Sequence, residues 1–304
     1  MHVDLPSGIR IEYETFGPGS APTVLLIMGL GMQLTAWPMP LVDGLLARGF
    51  RVVRFDNRDV GLSTHLRPHA RVDLRAAAMR AMVGLRVHAP YTLEDMAGDT
   101  VGLMDALGIT RAHVVGVSMG GMIGQVLAAG WGSRVVSFTS IMSSSGARRY
   151  AFHWTPATRA LLAPMPRGLD ENGMLDHLEG VWRLIGSPGL QPPSEVLRER
   201  LRASMRRASD PPGIARQILA IMRSGDRRKL LRTIRVPTLV IHGEQDPLVP
   251  IGAGRDTAAH VPGAVFRSIP GMGHDLPDAL LPRLVAEIAD HCDAAAARAP
   301  LSAG

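Results

Sequence analysis

Apolar and polar positions along the chain follow a strand–helix order. Continuous apolar runs that end at a glycine or a polar residue predict strands buried on both faces, and apolar residues at helical spacing predict the segments between them. The predicted strands span residues 24–28, 51–55, 112–115, 135–142, 237–242 and 264–269. The predicted helices span residues 41–48, 92–107, 120–129, 252–260 and 279–292. This order is typical of a mostly parallel sheet with helices on both faces.

The N-terminal residues show a different pattern. Residues 9–13 alternate between apolar and polar side chains, and the apolar Val3 and Leu5 precede a turn at Gly8. Such alternation around a glycine turn predicts a β-hairpin. With the hairpin, the predicted sheet has eight strands.

Residues 147–235 interrupt the alternation between the sixth and seventh strands. Prolines such as Pro164, Pro188 and Pro211 separate short helical stretches that carry no strand signal. The pattern predicts a helical cap, residues 147–235, inserted after strand six of a core formed by residues 1–146 and 236–292. The Ala-rich residues 293–304 are predicted to form a flexible tail.

Composition narrows the class of protein. The 304 residues are 46% hydrophobic, as in globular proteins, and the longest apolar stretch is too short to span a membrane. The N-terminus lacks the basic and apolar runs of a signal peptide. A single cysteine, Cys292, requires no oxidising compartment. We therefore expect a cytoplasmic protein without integral membrane association.

Positive charge is concentrated in the predicted cap. Residues 147–235 hold 17 basic and 8 acidic residues, so this segment has a net charge of +9 within a chain of net charge +6. Nearly all of the basic residues are arginines, without interleaved aromatic residues or a nucleic-acid-binding motif. We therefore expect a solvated helical surface and no nucleic-acid partner.

The strongest chemical signal is the sequence Gly-Val-Ser-Met-Gly at residues 116–120, between a predicted strand and a predicted helix. A Gly-x-Ser-x-Gly turn lifts a serine hydroxyl clear of the sheet, and its glycines leave room for the sharp turn. The helix N-terminus also places backbone N–H groups beside developing negative charge. These features predict that Ser118 is a nucleophile.

A serine nucleophile needs a base and an acid that orients the base. In proteins with this type of turn, both residues follow the serine later in the chain. His274 lies in a glycine-rich loop directly after the last predicted strand and is the predicted base. The loop after strand seven offers two carboxylates, Glu244 and Asp246. Asp246 is favoured because Pro247 bends the chain there, and Glu244 is the alternative.

Two backbone N–H groups are predicted to stabilise the oxyanion. One belongs to Met119, directly after the nucleophile, and the other to the glycine-containing loop after strand three, where Leu30 is favoured over Gly31. The predicted lining of the substrate pocket comprises Gly29, Gly31, Met32, Trp37, Trp154 and Trp182. The three tryptophans of this set are at least as typical of a hydrophobic core as of a pocket.

No residue pattern predicts a metal or an organic cofactor. The sequence has no His-Glu-x-x-His motif and no paired cysteines, and the loop at Gly29 and Gly31 lacks the third glycine of a dinucleotide-binding turn. The charged residues 56–59 are predicted to form a buried turn that braces the neighbouring loop.

Together, Ser118, Asp246 and His274 resemble the active site of the α/β-hydrolase superfamily over residues 1–292. The stretches 28–31, 56–63 and 271–274 are similar to a bacterial esterase/lipase group that includes aclacinomycin methylesterase. The resemblance implies a serine esterase with a helical cap. Met28 stands where much of the superfamily has histidine, as in the methylesterase-like branch.

The predicted reaction is hydrolysis of a carboxylic ester of a small molecule through an acyl-enzyme, without a cofactor. The same three side chains also serve C–C bond hydrolysis, perhydrolysis and acyl transfer, which stay open as alternatives. A non-catalytic ligand receptor is a less favoured alternative. Neither the substrate nor the oligomeric state follows from the sequence.

Overall fold

Eight strands form a single sheet in the computed structural model, which describes residues 1–66, 73–151, 155–163, 166 and 168–298. The strand order is β1-β2-β4-β3-β5-β6-β7-β8. The strands are β1 (His2–Asp4), β2 (Arg10–Phe16), β3 (Thr23–Ile27), β4 (Arg51–Phe55), β5 (Ala112–Val117), β6 (Val135–Ile141), β7 (Thr238–Gly243) and β8 (Val265–Ile269).

The sheet is parallel from β4 to β8 and antiparallel at its N-terminal edge. β1 pairs with β2 as the predicted hairpin, with Val3 opposite Ile11, and β2 pairs antiparallel with β4. β3 lies between β4 and β5, and Ile27 is the partner of Gly116. The predicted fold class, a mostly parallel eight-stranded sheet, is therefore confirmed, and the ends of β3 and β5 lie side by side.

Helices cover both faces of the sheet. The α-helices of the described residues are α1 (Met39–Ala47), α2 (Leu74–Met82), α3 (Leu93–Ala106), α4 (Met119–Gly130), α5 (Arg148–Ala151), α6 (Pro156–Leu162), α7 (Glu171–Ile185), α8 (Ser194–Arg207), α9 (Pro211–Ser224), α10 (Arg228–Leu231), α11 (Ile251–His260) and α12 (Leu281–Arg298). One buried apolar layer includes residues of α3 and α4, and the other includes residues of α1 and α12. None of these helices is long and apolar enough to cross a membrane.

Two helices differ from the sequence-based expectation. The pattern did not predict α2, because it buries only Ala77 and so has no apolar stripe. Its one sequence signal is Asp73, whose carboxylate accepts hydrogen bonds from the first-turn N–H groups of Arg75 and Ala76. At the other end of the chain, α12 continues to Arg298, into the segment 293–304 that was predicted to be a flexible tail. The rest of that segment, residues 299–304, lies outside the described residues.

The segment between β6 and β7 contains α5 to α10, and its described residues include no strand. Ion pairs to buried carboxylates attach this segment to the turn after β4. Arg207 on α8 contacts Asp56 at 2.7 Å, and Arg216 on α9 binds Asp59 through two hydrogen bonds. Several arginines of the segment are therefore engaged with carboxylates rather than free in solvent.

Candidate active site

Ser118 lies in a sharp turn between β5 and α4. Its backbone has φ +53° and ψ −115°, a conformation that L-residues rarely adopt. The turn requires glycine on both sides. A Cβ atom on Gly116 would lie 2.2 Å from the carbonyl oxygen of Gly120, and a Cβ on Gly120 would lie 2.0 Å from that of Ile27. Close packing of β3, β5 and α4 therefore explains the Gly-x-Ser-x-Gly pattern.

The contact at Gly120 leads to a prediction about stability. We expect Gly120→Ala to lower the free energy of unfolding by at least about 3 kcal/mol, because backbone must move to admit the methyl group. Gly98→Ala is the matched control on α3, where an added Cβ meets nothing within 4 Å. This control should stabilise the chain by about 0.5–1 kcal/mol, since alanine favours helix. Urea unfolding measures both, and equal midpoints for the two variants would contradict the packing argument.

The structure brings Ser118, His274 and Asp246 together in one hydrogen-bonded chain. Nδ1 of His274 is 2.7 Å from Oδ2 of Asp246, and Nε2 of His274 is 3.1 Å from Oγ of Ser118. An ionised carboxylate has no proton to give, so Nδ1–H donates to Asp246 and Nε2 accepts from the serine hydroxyl. This is the arrangement in which a histidine can take the serine proton.

Asp246 is held in the ionised form. Its Oδ1 accepts hydrogen bonds from the N–H groups of Leu248 and Val249 at 2.9 and 2.8 Å. Burial by itself would raise the pKa of the carboxyl group, but His274 and then His242 lower it, and the pKa of Asp246 lies well below its usual range. The side chain therefore stays a carboxylate at neutral pH.

The alternative acid, Glu244, lies elsewhere. It is exposed, and its Oε1 accepts a hydrogen bond from Oγ of Ser268 at 2.8 Å. The carboxylate of Asp275, which adjoins His274 in sequence, binds the N–H and Oγ of Ser187 instead of the imidazole ring. Of the three nearby carboxylates, Asp246 is the one that contacts the histidine.

The loop after β3 passes directly against the nucleophile. A Cβ atom on Gly29 would lie 3.3 Å from the Cβ of Ser118. The N–H of Gly31 already donates to Oε1 of Gln217 at 2.8 Å. Within the described part of the chain, the N–H groups of Leu30 and Met119 have no hydrogen-bond acceptor. This arrangement favours Leu30 over Gly31 as an oxyanion donor.

The charged turn at residues 56–59 braces this loop, in agreement with the sequence-based interpretation. The side-chain amide of Asn57 donates to the carbonyl oxygen of Met28 at 3.0 Å. Oδ1 of Asp56 accepts from the N–H of Leu34 at 2.7 Å. Both ends of the loop are therefore tied to the same buried turn.

Ser118 and His274 border a cavity of about 3190 Å³, whose walls come from both the sheet side and the helical segment. Trp37 borders this cavity too, but its side chain is fully buried in the core. Trp182 also borders the cavity and packs against the buried cluster of the helical segment that contains Leu175. Trp154 lies outside the described residues. The other predicted lining residues that border the cavity are Gly29, Gly31 and Met32.

Three polar residues near the site were not identified from the sequence. His242 lies 3.5 Å from Asp246 and donates from Nε2 to the carbonyl oxygen of Val249. Ser187 accepts from the N–H of Gly273, next to His274. Gln217 binds the loop after β3. Of these three, His242 alone had a sequence signal, since it lies at the end of a predicted strand. The positions of Ser187 and Gln217 depend on how the helical segment folds.

Among the residues that the structure describes, one group has the spacing of metal ligands. It consists of Asp59, His65 and Asp210. The guanidinium group of Arg216 binds both of these carboxylates, at 2.7 and 3.0 Å. A positive charge therefore already occupies the position that a cation would need, and the group is an ion-pair cluster.

Comparison with known proteins agrees with this fold. Residues 22–173 match the family model described as alpha/beta hydrolase fold. Rhodomycin D methylesterase from Streptomyces sp. (strain C5) is 31% identical over 297 residues, which cover 91% of this chain and 93% of that protein. The crystal structure of the enol-lactonase from Burkholderia xenovorans has a TM-score of 0.71 and 26% identity, covering 96% of this chain and 98% of that one.

The chain belongs to the α/β-hydrolase fold family. Its relatives also include 3-oxoadipate enol-lactonase 2 from Acinetobacter baylyi, 25% identical over 83% of this chain and 82% of that protein. The predicted resemblance to the methylesterase group is confirmed, as is the predicted class of enzyme, a carboxylic ester hydrolase.

Proposed function

We propose that the chain hydrolyses a carboxylic ester through an acyl-enzyme formed on Ser118. The observation that supports this proposal is the continuous hydrogen-bonded chain from Ser118 through His274 to Asp246, at the border of the large cavity. In this proposal Ser118 is the nucleophile, His274 is the general base and Asp246 orients the imidazole ring.

The first step forms the bond between Oγ of Ser118 and the carbonyl carbon of the ester. Nε2 of His274 accepts the hydroxyl proton as the bond forms, and the Asp246 carboxylate stabilises the resulting imidazolium. The N–H groups of Leu30 and Met119 donate to the oxyanion of the tetrahedral intermediate. These donors are backbone groups, so their side chains are free to pack.

The second half of the reaction releases both products. The tetrahedral intermediate collapses, the bond to the alcohol oxygen breaks, and His274 gives its proton to the leaving alcohol. Water then attacks the acyl-serine, with His274 as base, and the acid leaves as Ser118 regains its proton. His274 handles each proton, so the cycle needs water as its one co-reactant and no cofactor.

We infer that residues 147–235 act as a cap over a core of residues 1–146 and 236–292. Trp182 on this cap and Met32 on the core border the same cavity as Ser118, which supports a substrate held between the two parts. The cytoplasmic location stays a prediction from the sequence.

The cavity supports a bulky substrate. Typical small-molecule pockets occupy roughly 300–1,000 Å³, and the cavity beside Ser118 is about 3190 Å³. The relatives include a methylesterase, which removes a small alcohol. We therefore propose that the substrate is a methyl ester, or an ester of another small alcohol, with a large and mainly apolar acid part.

A series of methyl esters with increasing acid size tests this proposal. We expect kcat/KM to rise roughly fourfold for each methylene group that the cavity buries, since each contributes about 0.8 kcal/mol. Ser118→Ala, measured with the same series, shows how much turnover depends on the site. A kcat/KM that falls steadily from methyl acetate upward would contradict a bulky acid part.

A further inference from the structure

Gln217 connects the helical segment to the loop that borders the nucleophile. It lies on α9 with its side chain fully buried. Its Oε1 accepts from the N–H of Gly31 at 2.8 Å, and its Nε2 donates to the carbonyl oxygen of Arg58 at 2.8 Å. A single amide group therefore joins α9 to both the loop after β3 and the turn after β4.

The loop after β3 is held between α9 and Ser118. Gly31 has φ +68°, and a Cβ atom there would lie 3.0 Å from Cγ1 of Ile214 on α9. On the other side, Gly29 approaches Ser118 closely enough that a Cβ would lie 3.3 Å from the Cβ of the serine. A shift of α9 would therefore move the loop relative to the nucleophile.

The helix that carries Gln217 is itself firmly anchored. The neighbouring Arg216 is almost completely buried, and its Nε and Nη2 atoms lie 2.8 and 2.7 Å from the two carboxylate oxygens of Asp59. Such two-point pairing between arginine and a carboxylate fixes geometry as well as position. Gln217 therefore lies on a helix whose position against the core is fixed.

We propose that Gln217 is a positioning residue for the oxyanion hole, an inference that rests on the proposed esterase function. By accepting from Gly31, it fixes the peptide that follows Leu30 and so the direction of the Leu30 N–H. The two ends of this short loop are anchored at Met28 and Leu34, and the hydrogen bond from Gly31 to Gln217 restrains the glycine-rich part between them. Because the oxyanion exists only after attack on the carbonyl, loss of Gln217 lowers kcat and leaves KM nearly unchanged.

The test compares two glutamine variants, Gln217→Met and Gln125→Met. Gln125 on α4 is the matched control, because its side chain is also fully buried and bridges Ser144 and Arg227 without touching the loop after β3. We expect Gln217→Met to lower kcat about 10-fold, less than the 10²–10³-fold loss of an oxyanion donor itself. Gln125→Met should keep kcat within about two-fold, although both variants lose two buried hydrogen bonds and some stability.

A second readout separates positioning from general loosening of the fold. A trifluoromethyl ketone forms a tetrahedral adduct with an oxyanion, so its inhibition constant should rise in the same proportion as kcat falls in Gln217→Met. The corresponding unfluorinated alcohol, which forms no adduct, should bind both variants and the unmodified protein equally.

Gln217→Glu provides the rescue experiment. An ionised glutamate keeps an acceptor for the Gly31 N–H but has no donor for the carbonyl oxygen of Arg58, so it should recover most of the kcat that Gln217→Met loses. Thermal unfolding shows whether each variant is folded, and Gln217→Leu, which also lacks an acceptor for the Gly31 N–H, serves as the test if the methionine variant does not fold.

Three results would overturn the inference: full kcat in Gln217→Met, an equal loss in Gln125→Met, or no recovery in Gln217→Glu. A failure of the proposed esterase function would give a different result, since Ser118→Ala would then keep its esterase activity. If Ser118→Ala is inactive and Gln217→Met is fully active, the esterase proposal stands and the role of Gln217 does not.

Discussion

Ser118→Ala is expected to lower kcat for ester hydrolysis by about 10⁴-fold or more, as loss of a serine nucleophile does in other hydrolases. The substitution removes the hydroxyl that lies 3.1 Å from Nε2 of His274. Oγ of Ser118 makes no other hydrogen bond among the described residues, so the fold should be retained. Steady-state hydrolysis of a nitrophenyl ester measures the loss, and circular dichroism checks the fold.

Ser137→Ala is the matched control for this substitution. Ser137 is a fully buried serine on β6 whose hydroxyl contacts Nδ1 of His113, in a different part of the sheet. The control should cost some stability and keep kcat within about two-fold, because it leaves the site untouched. If Ser118→Ala instead kept kcat within about 10-fold of the unmodified protein, Ser118 would not be the nucleophile.

Asp246→Asn is expected to lower kcat by about 10³–10⁴-fold with little change in KM, in line with the loss seen when the acid of such a triad is made neutral. The carboxylate keeps the proton of His274 on Nδ1, so that Nε2 is free to act as base, and it stabilises the imidazolium that forms. Asparagine has nearly the same shape but carries no charge. Steady-state kinetics on the folded variant give the size of the effect.

Glu244→Gln distinguishes the two carboxylates of the loop after β7. Glu244 is exposed and contacts Ser268 rather than His274, so its variant should keep kcat within about two-fold. The opposite result, an active Asp246→Asn and an inactive Glu244→Gln, would transfer the role of the acid to Glu244.

The sequence predicts the three catalytic candidates because their positions follow from strand order. Ser118 directly follows β5, and Asp246 and His274 lie in the loops after β7 and β8. The carboxyl ends of parallel strands meet at one edge of a sheet, so residues far apart in the chain converge there. Apolar periodicity identifies the strands, and local glycines mark the turns.

The remaining residues of the site do not follow from periodicity. Gln217 and Ser187 lie on the helical segment, where no repeating strand fixes the register of one element against another. Their partners, Gly31 and Asp275, are 186 and 88 residues away in the chain. Each contact depends on how the helices pack over the sheet, which the order of apolar and polar residues leaves open.

The acyl-enzyme is the central claim, and trapping it is the most direct test. The protein is mixed with nitrophenyl acetate, quenched with acid within the first turnovers, digested and analysed by mass spectrometry. We predict one acetyl group, on the peptide that contains Ser118, and none on that peptide in Ser118→Ala. Acetylation of another residue, or continued turnover by Ser118→Ala, would contradict the mechanism.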